Sequence, residues 1–279
     1  MLAWKIYRIC DNSAAMINSM IFFPEKQHYE KPADYGYVYE DVALLTQDQV
    51  KLHGWYLHAL GSDSSSAGLR EEEGVILFFH GNAGNISNRL SKVKGWIEKR
   101  YSVLLIDYRS YGQSEGKIES QEDILYDAEA ALKWLLEVKK IDSKKIVFYG
   151  ESLGSFPAVT LATKYSAKAL ILEAPFTSFV ELAKIHYSFL PQPMLAGLLK
   201  HFEFSNLRLM DQLKCPLFIL HGTRDEICPY AMSEKLFEKV LQPKSHFTIE
   251  NGAHNDLPMV AGADYWDQPG QFLEKIAVR

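Results

Sequence analysis

Cysteine is nearly absent: Cys10, Cys215 and Cys228 are the only three in 279 residues. Three scattered thiols build neither a disulfide framework nor a cysteine zinc site, both of which need paired or clustered spacing. They fit a reducing compartment, the cytoplasm. Also missing is any run of the roughly 18–20 apolar residues that a membrane-spanning helix requires. The first 23 residues come nearest, but Lys5, Arg8 and Asp11 interrupt them before the apolar stretch 16–23. Phe22-Phe23-Pro24-Glu25 offers no small-residue cleavage site of a signal peptide. With Trp4, Ile6, Tyr7 and Ile9 beside two basic residues, this segment is amphipathic, suited to pack on its own domain or to lie peripherally on a membrane surface. Basic charge is not in excess either. Lys and Arg number 30 against 35 Asp and Glu, a net charge of −5, which argues against a nucleic-acid partner. What is present is ordinary: a hydrophobic fraction of 47% and a charged fraction of 23% exclude wholesale disorder, collagen and an extended coiled coil.

From residue 37 onward, short β-rich runs alternate with longer amphipathic ones, the pattern of a mostly parallel sheet with helices on both faces. Segments 38–46 and 50–59, joined by Gln47-Asp48-Gln49, predict an antiparallel hairpin. The Ser- and Glu-rich stretch 61–73 predicts a solvated loop. Buried strands follow at 75–79, 103–106, 145–149, 169–172, 217–220 and 246–249, giving about eight in all. Helices fall at about 87–99, 121–138, 153–164, 231–240 and 271–277. More than forty residues separate Leu172 from Leu217, far beyond a usual βα connection, so a short cap insertion is expected at about 175–211. The chain thus divides into an amino-terminal segment, 1–34, and one α/β domain, 35–279.

Gly150-Glu151-Ser152-Leu153-Gly154 follows the strand 145–149 without a gap and opens into the helical run containing Ala158, Val159 and Leu161. A serine on so tight a strand-to-helix turn stands clear of the backbone, and glycines two residues to either side let the turn close without a Cβ clash. Ser152 is therefore the candidate nucleophile. The same five-residue pattern recurs at Gly112-Gln113-Ser114-Glu115-Gly116, but several residues past its strand and parted from the next helix by the polar residues 117–121. Ser114 lacks the strand-turn-helix context, and 108–116 reads as a structural loop.

A serine hydroxyl needs a base to take its proton and an acid to hold that base in one tautomer. Asp225 ends His221-Gly222-Thr223-Arg224-Asp225 after one strand, and His254 ends Glu250-Asn251-Gly252-Ala253-His254 after the next. Both stand just beyond strand ends, where the sites of open parallel sheets are built. Glu226 and Asp256 are alternative acids, while His221, lying before the acid, packs or hydrogen-bonds to shape that turn. The negative oxygen of a tetrahedral intermediate calls for backbone N–H groups already aimed at it. His80-Gly81-Asn82-Ala83-Gly84-Asn85, after the strand 75–79, and the residue after Ser152 supply them, which assigns an oxyanion hole to the N–H groups of Asn82 and Leu153. The loop has neither the Lys-Ser/Thr ending of a phosphate-binding loop nor dinucleotide-binding glycine spacing.

With those residues in place, the chain resembles the α/β-hydrolase superfamily from about residue 35 to its end. It is most similar to the branch that holds the fungal bud-emergence-type hydrolases and the mammalian depalmitoylating hydrolases. The resemblance rests on the 80–85 and 150–154 motifs, on Asp107-Tyr108-Arg109-Ser110-Tyr111-Gly112-Gln113-Ser114-Glu115-Gly116, on Ala174-Pro175-Phe176-Thr177-Ser178, on 221–225, and on Gly252-Ala253-His254-Asn255-Asp256. It implies an α/β-hydrolase fold with Ser152, Asp225 and His254 as nucleophile, acid and base, and neither cofactor nor metal. Two departures stand out: Ser110 where relatives usually carry glycine, and one cysteine, Cys10, where the mammalian depalmitoylases carry a cysteine-rich palmitoylation segment.

The insertion carries Phe176, Phe179, Ile185, Phe189, Leu190, Leu195, Leu199, Phe202 and Phe204, too many large apolar side chains for a bare surface loop. As a cap over Ser152 they predict a wall for an acyl chain, with Phe176, Phe189 and Leu190 as substrate contacts. The plainer alternative is packing on the domain. The expected activity is a serine hydrolase of acyl esters or thioesters acting on a small-molecule or lipid substrate. A peptidase or amidase with the same three residues, or a catalytically silent binding protein, are the rivals.

Overall fold

The computed structural model describes residues 21–61 and 72–277. Most of the amphipathic amino-terminal segment and most of the solvated loop at 61–73 lie outside those residues. The strands are β1 (Phe23–Pro24), β2 (Tyr39–Leu45), β3 (Lys51–Leu57), β4 (Gly74–Phe79), β5 (Ala83–Gly84), β6 (Tyr101–Ile106), β7 (Ile146–Glu151), β8 (Ala169–Glu173), β9 (Leu217–Gly222) and β10 (Lys244–Ile249). Eight of them form one sheet in the order β10-β9-β8-β7-β4-β6-β3-β2. It is parallel from β10 to β6, and β3 and β2 add to it antiparallel as the predicted hairpin.

Burial explains which runs became which strands. β4, β6, β7, β8 and β9 are buried at every position, as expected for parallel strands covered on both faces, whereas the edge strand β2 exposes alternate residues. Within β4, Leu77 and Phe79 enter the core on one side of the sheet, Ile76 and Phe78 the core on the other. The helices α1 (Leu90–Glu98), α2 (Gln121–Lys133), α3 (Ser155–Lys164), α4 (Phe179–His186), α5 (Gln192–Leu198), α6 (Ala231–Lys239), α7 (Leu257–Ala261) and α8 (Asp264–Ala277) cover both faces. α2, α3 and α6 bury Ile124, Val159 and Leu236 on the first side, and α1 and α8 bury Trp96 and Leu273 on the second. The α/β-hydrolase fold expected from sequence is the fold observed.

The last helix begins at Asp264, seven residues before the expected start at 271. Pro269-Gly270 looks like a break in sequence. The first turn is anchored regardless, because the Tyr265 hydroxyl donates to Glu173 at 2.7 Å and the Trp266 indole N–H to the Lys92 carbonyl at 2.7 Å. Trp266 lies so close over α1 that a Cβ on Gly95 would meet it at 2.4 Å.

Residues 21–34 run across the domain as a strap. Phe22 is buried edge-on against Phe202 and Phe204, and β1 pairs in parallel with β5, Phe23 opposite Ala83. Among the described residues no helix is long and apolar enough to cross a membrane.

Candidate active site

β7 runs into Ser152 without a spacer, and Ser152 takes φ of +50°, a left-handed conformation disfavoured for a side-chain-bearing residue. The turn is too crowded for anything but glycine at its flanks. A Cβ on Gly150 would meet the Gly154 carbonyl oxygen at 2.5 Å, and one on Gly154 the Phe79 carbonyl oxygen at 2.0 Å. Squeezed between β4 and β7, the chain turns the Ser152 hydroxyl outward, half-buried in a cleft.

The loops after β9 and β10 meet it there. His254 Nε2 lies 3.0 Å from Ser152 Oγ, and His254 Nδ1 lies 2.6 Å from Asp225 Oδ2. Asp225 is buried, and its other oxygen accepts the N–H groups of Ile227 and Cys228 at 2.9 and 2.7 Å. Burial works to raise its carboxyl, but hydrogen bonds from His221 and His254 outweigh that and hold it at about 2. The alternative acids are elsewhere: Glu226 is exposed, and Asp256 caps its own loop by accepting the Ala253 N–H at 2.7 Å. Ser114 is buried and fully used, donating to the Asp107 carbonyl at 2.7 Å and accepting the His53 N–H at 2.9 Å.

Sequence reasoning gave His221 a turn-shaping part, and the structure puts it against the acid itself. Its Nε2 lies 3.0 Å from Asp225 Oδ2 and 2.9 Å from the Cys228 carbonyl oxygen. Both are acceptors, so Nε2 carries a proton, while Nδ1 is buried with no hydrogen-bond partner among the described residues. Asp225 Oδ2 is thus shared by two imidazoles. The Cys228 thiol, which burial and then Asp225 push well above its ordinary range, lines the cleft with Ser152.

Asn82 and Leu153 both line the cleft beside Ser152. The Asn82 loop is clamped: the Tyr111 hydroxyl donates to its carbonyl at 2.7 Å, its side-chain amide donates to the Ile21 carbonyl, and the Gly81 N–H donates to Glu151 at 3.2 Å. Glu151 is held in turn by Arg89 at 3.0 Å and Lys92 at 2.7 Å, which overcome the effect of burial and keep its carboxyl well below the usual range. Lys92 also reaches Glu173 at 2.7 Å. No spacing rule in the sequence pointed to this network, because its members come from β7, β8, α1 and the turn before it.

The cleft holds about 350 Å³. Phe176 lines it, as expected. Phe189 and Leu190 do not: Phe189 sits past the end of α4 with 77% of its surface exposed, and Leu190, half-buried, packs on the small cluster of Ala183, Leu195 and Leu199. The wall comes instead from α4, through Phe179, Leu182, Ala183 and His186, and from the strap, through Ile21 and Phe23. Positions 179, 182, 183 and 186 share one helical face, a spacing legible in sequence. Tyr187 lines the cleft as well, and the remaining insertion phenylalanines, Phe202 and Phe204, pack into the core.

Comparison with known proteins gives the family. Residues 70–209 match the family model described as serine aminopeptidase, S33. An uncharacterised protein of Mycobacterium tuberculosis is 32% identical over 93% of this chain and 88% of its own length. The alpha/beta hydrolase domain-containing protein WAV2 of Arabidopsis thaliana is 33% identical over 88% of this chain and 82% of its own. Among solved structures, an esterase of Pyrococcus furiosus superposes with a TM-score of 0.74 at 20% identity, covering 91% of this chain and 97% of the esterase. With a family model matched over half its length and relatives matched over most of it, this chain belongs to the α/β-hydrolase superfamily, in its serine-hydrolase type.

Proposed function

We propose that the chain cleaves acyl esters or thioesters through a covalent acyl-serine intermediate. The observation that carries this reading is the hydrogen-bonded succession from Ser152 through His254 to Asp225, opening on a cleft walled by Ile21, Phe176, Phe179 and Leu182. His254 Nε2 takes the Ser152 proton as Oγ attacks the acyl carbon, and Asp225 fixes the ring and offsets its positive charge. The N–H groups of Asn82 and Leu153 face the developing oxyanion, in a loop fixed by Tyr111, Glu151 and Ile21. Collapse expels the alcohol or thiol with the proton from His254. Water activated by the same ring then frees the acid. His221 acts as a positioning residue through its hydrogen bond to the shared Asp225 oxygen.

The matched family's description favours a second reading, an aminopeptidase. That chemistry wants a free carboxylate for the substrate's amino group. Among the described residues Glu151 is the carboxylate in the cleft lining, and Arg89 and Lys92 already take it up. A fluorophosphonate probe should label Ser152, and the labelled chain should lose turnover of p-nitrophenyl and acyl-thioester substrates. Amino-acid naphthylamides turned over faster than either would reverse the ranking of the two readings. Absence of labelling in a folded chain would return it to the silent class.

A further inference from the structure

Outside the lining of the Ser152 cleft, His28, His53 and Asp107 bring two imidazoles and a carboxylate together, with ligand atoms all within 4.8 Å of one another. His28 Nε2 is 2.7 Å and His53 Nδ1 3.4 Å from the same oxygen, Asp107 Oδ2. The three side chains are 4%, 14% and 0% exposed and come from the strap, from β3 and from the end of β6. Nothing in the proposed hydrolysis uses them.

The ring nitrogens that face away from this point are also held. His53 Nε2 lies 3.1 Å from Asp41 Oδ1, so a carboxylate oxygen stands at each nitrogen of that ring. A neutral imidazole has one N–H and one lone pair, and serves two carboxylates only when a second proton or another cation takes that lone pair. A cation on Nδ1 resolves the conflict: it takes the lone pair, and Nε2–H donates to Asp41, the carboxylate–histidine–metal arrangement of many metal sites. Asp41 is steadied by the Trp55 indole N–H at 2.9 Å. His28 is held at its other nitrogen by an amide instead of a carboxylate. Its Nδ1 lies 3.3 Å from the side-chain amide of Gln113, which by turning over presents its oxygen to Nδ1–H and frees Nε2 as a ligand. Asp107 Oδ1 accepts the Ile86 N–H at 3.1 Å, while Oδ2 faces the two rings and takes the Gln113 N–H at 3.4 Å.

We propose that His28, His53 and Asp107 bind one divalent transition-metal ion of the zinc type. Two imidazoles favour zinc over magnesium or calcium, which prefer oxygen throughout. Tetrahedral zinc, with bonds of about 2.0–2.2 Å, spaces its ligand atoms about 3.3–3.5 Å apart. The His53–Asp107 pair already stands at that separation, the His28–Asp107 pair opens by about 0.6–0.8 Å to reach it, and the two imidazole nitrogens, within 4.8 Å of each other, close onto the ion. The fourth position falls to water. The ion's part is structural, since His28 belongs to the strap whose Ile21 carbonyl holds Asn82 and whose Phe23 walls the cleft. The site would fasten that wall to the sheet.

The test is isothermal titration of ZnCl₂ into the full-length chain after chelator treatment, with Co²⁺ as a spectroscopic stand-in whose visible bands report tetrahedral nitrogen and oxygen ligation. One ion per chain is expected, and His28→Gln or His53→Gln should abolish that binding. Asp41→Asn alters an exposed side chain that does not touch the ion, and should weaken binding about 10- to 100-fold. No uptake by the folded chain overturns the proposal. So does uptake unchanged in both histidine variants, which places the ion elsewhere, or Asp41→Asn affinity equal to that of the unaltered chain. None of these readouts depends on hydrolytic activity.

Discussion

His221→Leu isolates the second imidazole on Asp225. The substitution removes the 3.0 Å hydrogen bond to Oδ2 and the 2.9 Å bond to the Cys228 carbonyl, leaving His254 and the two backbone N–H groups on the carboxylate. A hydrogen bond to a charged group contributes about 1.5–3 kcal/mol. If that energy holds Asp225 in register with His254 as the ring becomes charged, its loss lowers kcat by roughly 10- to 150-fold. That is well short of the approximately 10⁴-fold expected of Asp225→Asn, which upsets the histidine tautomer itself. His221→Gln carries an amide N–H to about the place of imidazole Nε2 and should recover most of the rate. The assay is kcat on a soluble p-nitrophenyl ester across pH for all three chains, with thermal unfolding to establish that each is folded. A folded His221→Leu chain with undiminished kcat would refute the reasoning. So would a Gln variant as slow as the Leu variant, since a merely space-filling histidine predicts no rescue.

Ser152→Ala should cost up to about 10⁶-fold in kcat, whereas Ser114→Ala should keep most turnover and lose about 1–3 kcal/mol of stability, seen in urea melts, by stranding the His53 N–H and the Asp107 carbonyl; the opposite pattern of activity would move the nucleophile to Ser114. Each acyl methylene that enters the cleft should raise kcat/KM nearly fourfold, from about 0.8 kcal/mol of burial, until the cleft is full. Phe179→Ala and Leu182→Ala should flatten that climb and Phe189→Ala should not, Phe189 being 77% exposed; an enzyme fastest on acetyl esters would defeat the acyl wall. Asp225, held at about 2 against an ordinary value near 3.9, stabilises the fold fully above about pH 4, and that contribution fades as the pH falls towards 2. Acid unfolding should therefore be less steep across that window in Asp225→Asn than in the unaltered chain, and equal slopes would contradict the assignment.

The central strands were legible because a parallel strand covered on both faces must be apolar throughout, and Val75 to Phe79 can be little else. The order of Ser152, Asp225 and His254 was legible for a related reason: each follows a strand of the parallel sheet by a few residues, so the sheet alone carries them to one edge. The cleft wall was not. Composition marks the insertion as apolar but does not say which of its residues share a helical face, and the face on the cleft belongs to Phe179, Leu182 and Ala183. The clamp on Glu151 and the pairing of His28 with Asp107 were out of reach, since partners 62 and 79 residues apart meet only through tertiary packing. Ser110 is an intermediate case. Its φ of +75° is a left-handed conformation that suits glycine, so the glycine expected there by resemblance marked the turn's shape.

The left-handed Ser152 bears on how such a chain ages over generations. A backbone at φ of +50° suits glycine better than serine, and relief of that strain is worth about 1–2 kcal/mol, against roughly 0.5–1 kcal/mol for the greater freedom glycine has when unfolded. On the proposed function, a Ser152→Gly lineage would therefore lose its chemistry while staying about as robust to heat and proteolysis as its parent. Selection for a durable fold cannot protect this serine; only a continuing need for its product can. Silent descendants should be common wherever that need lapses, and they should be well folded.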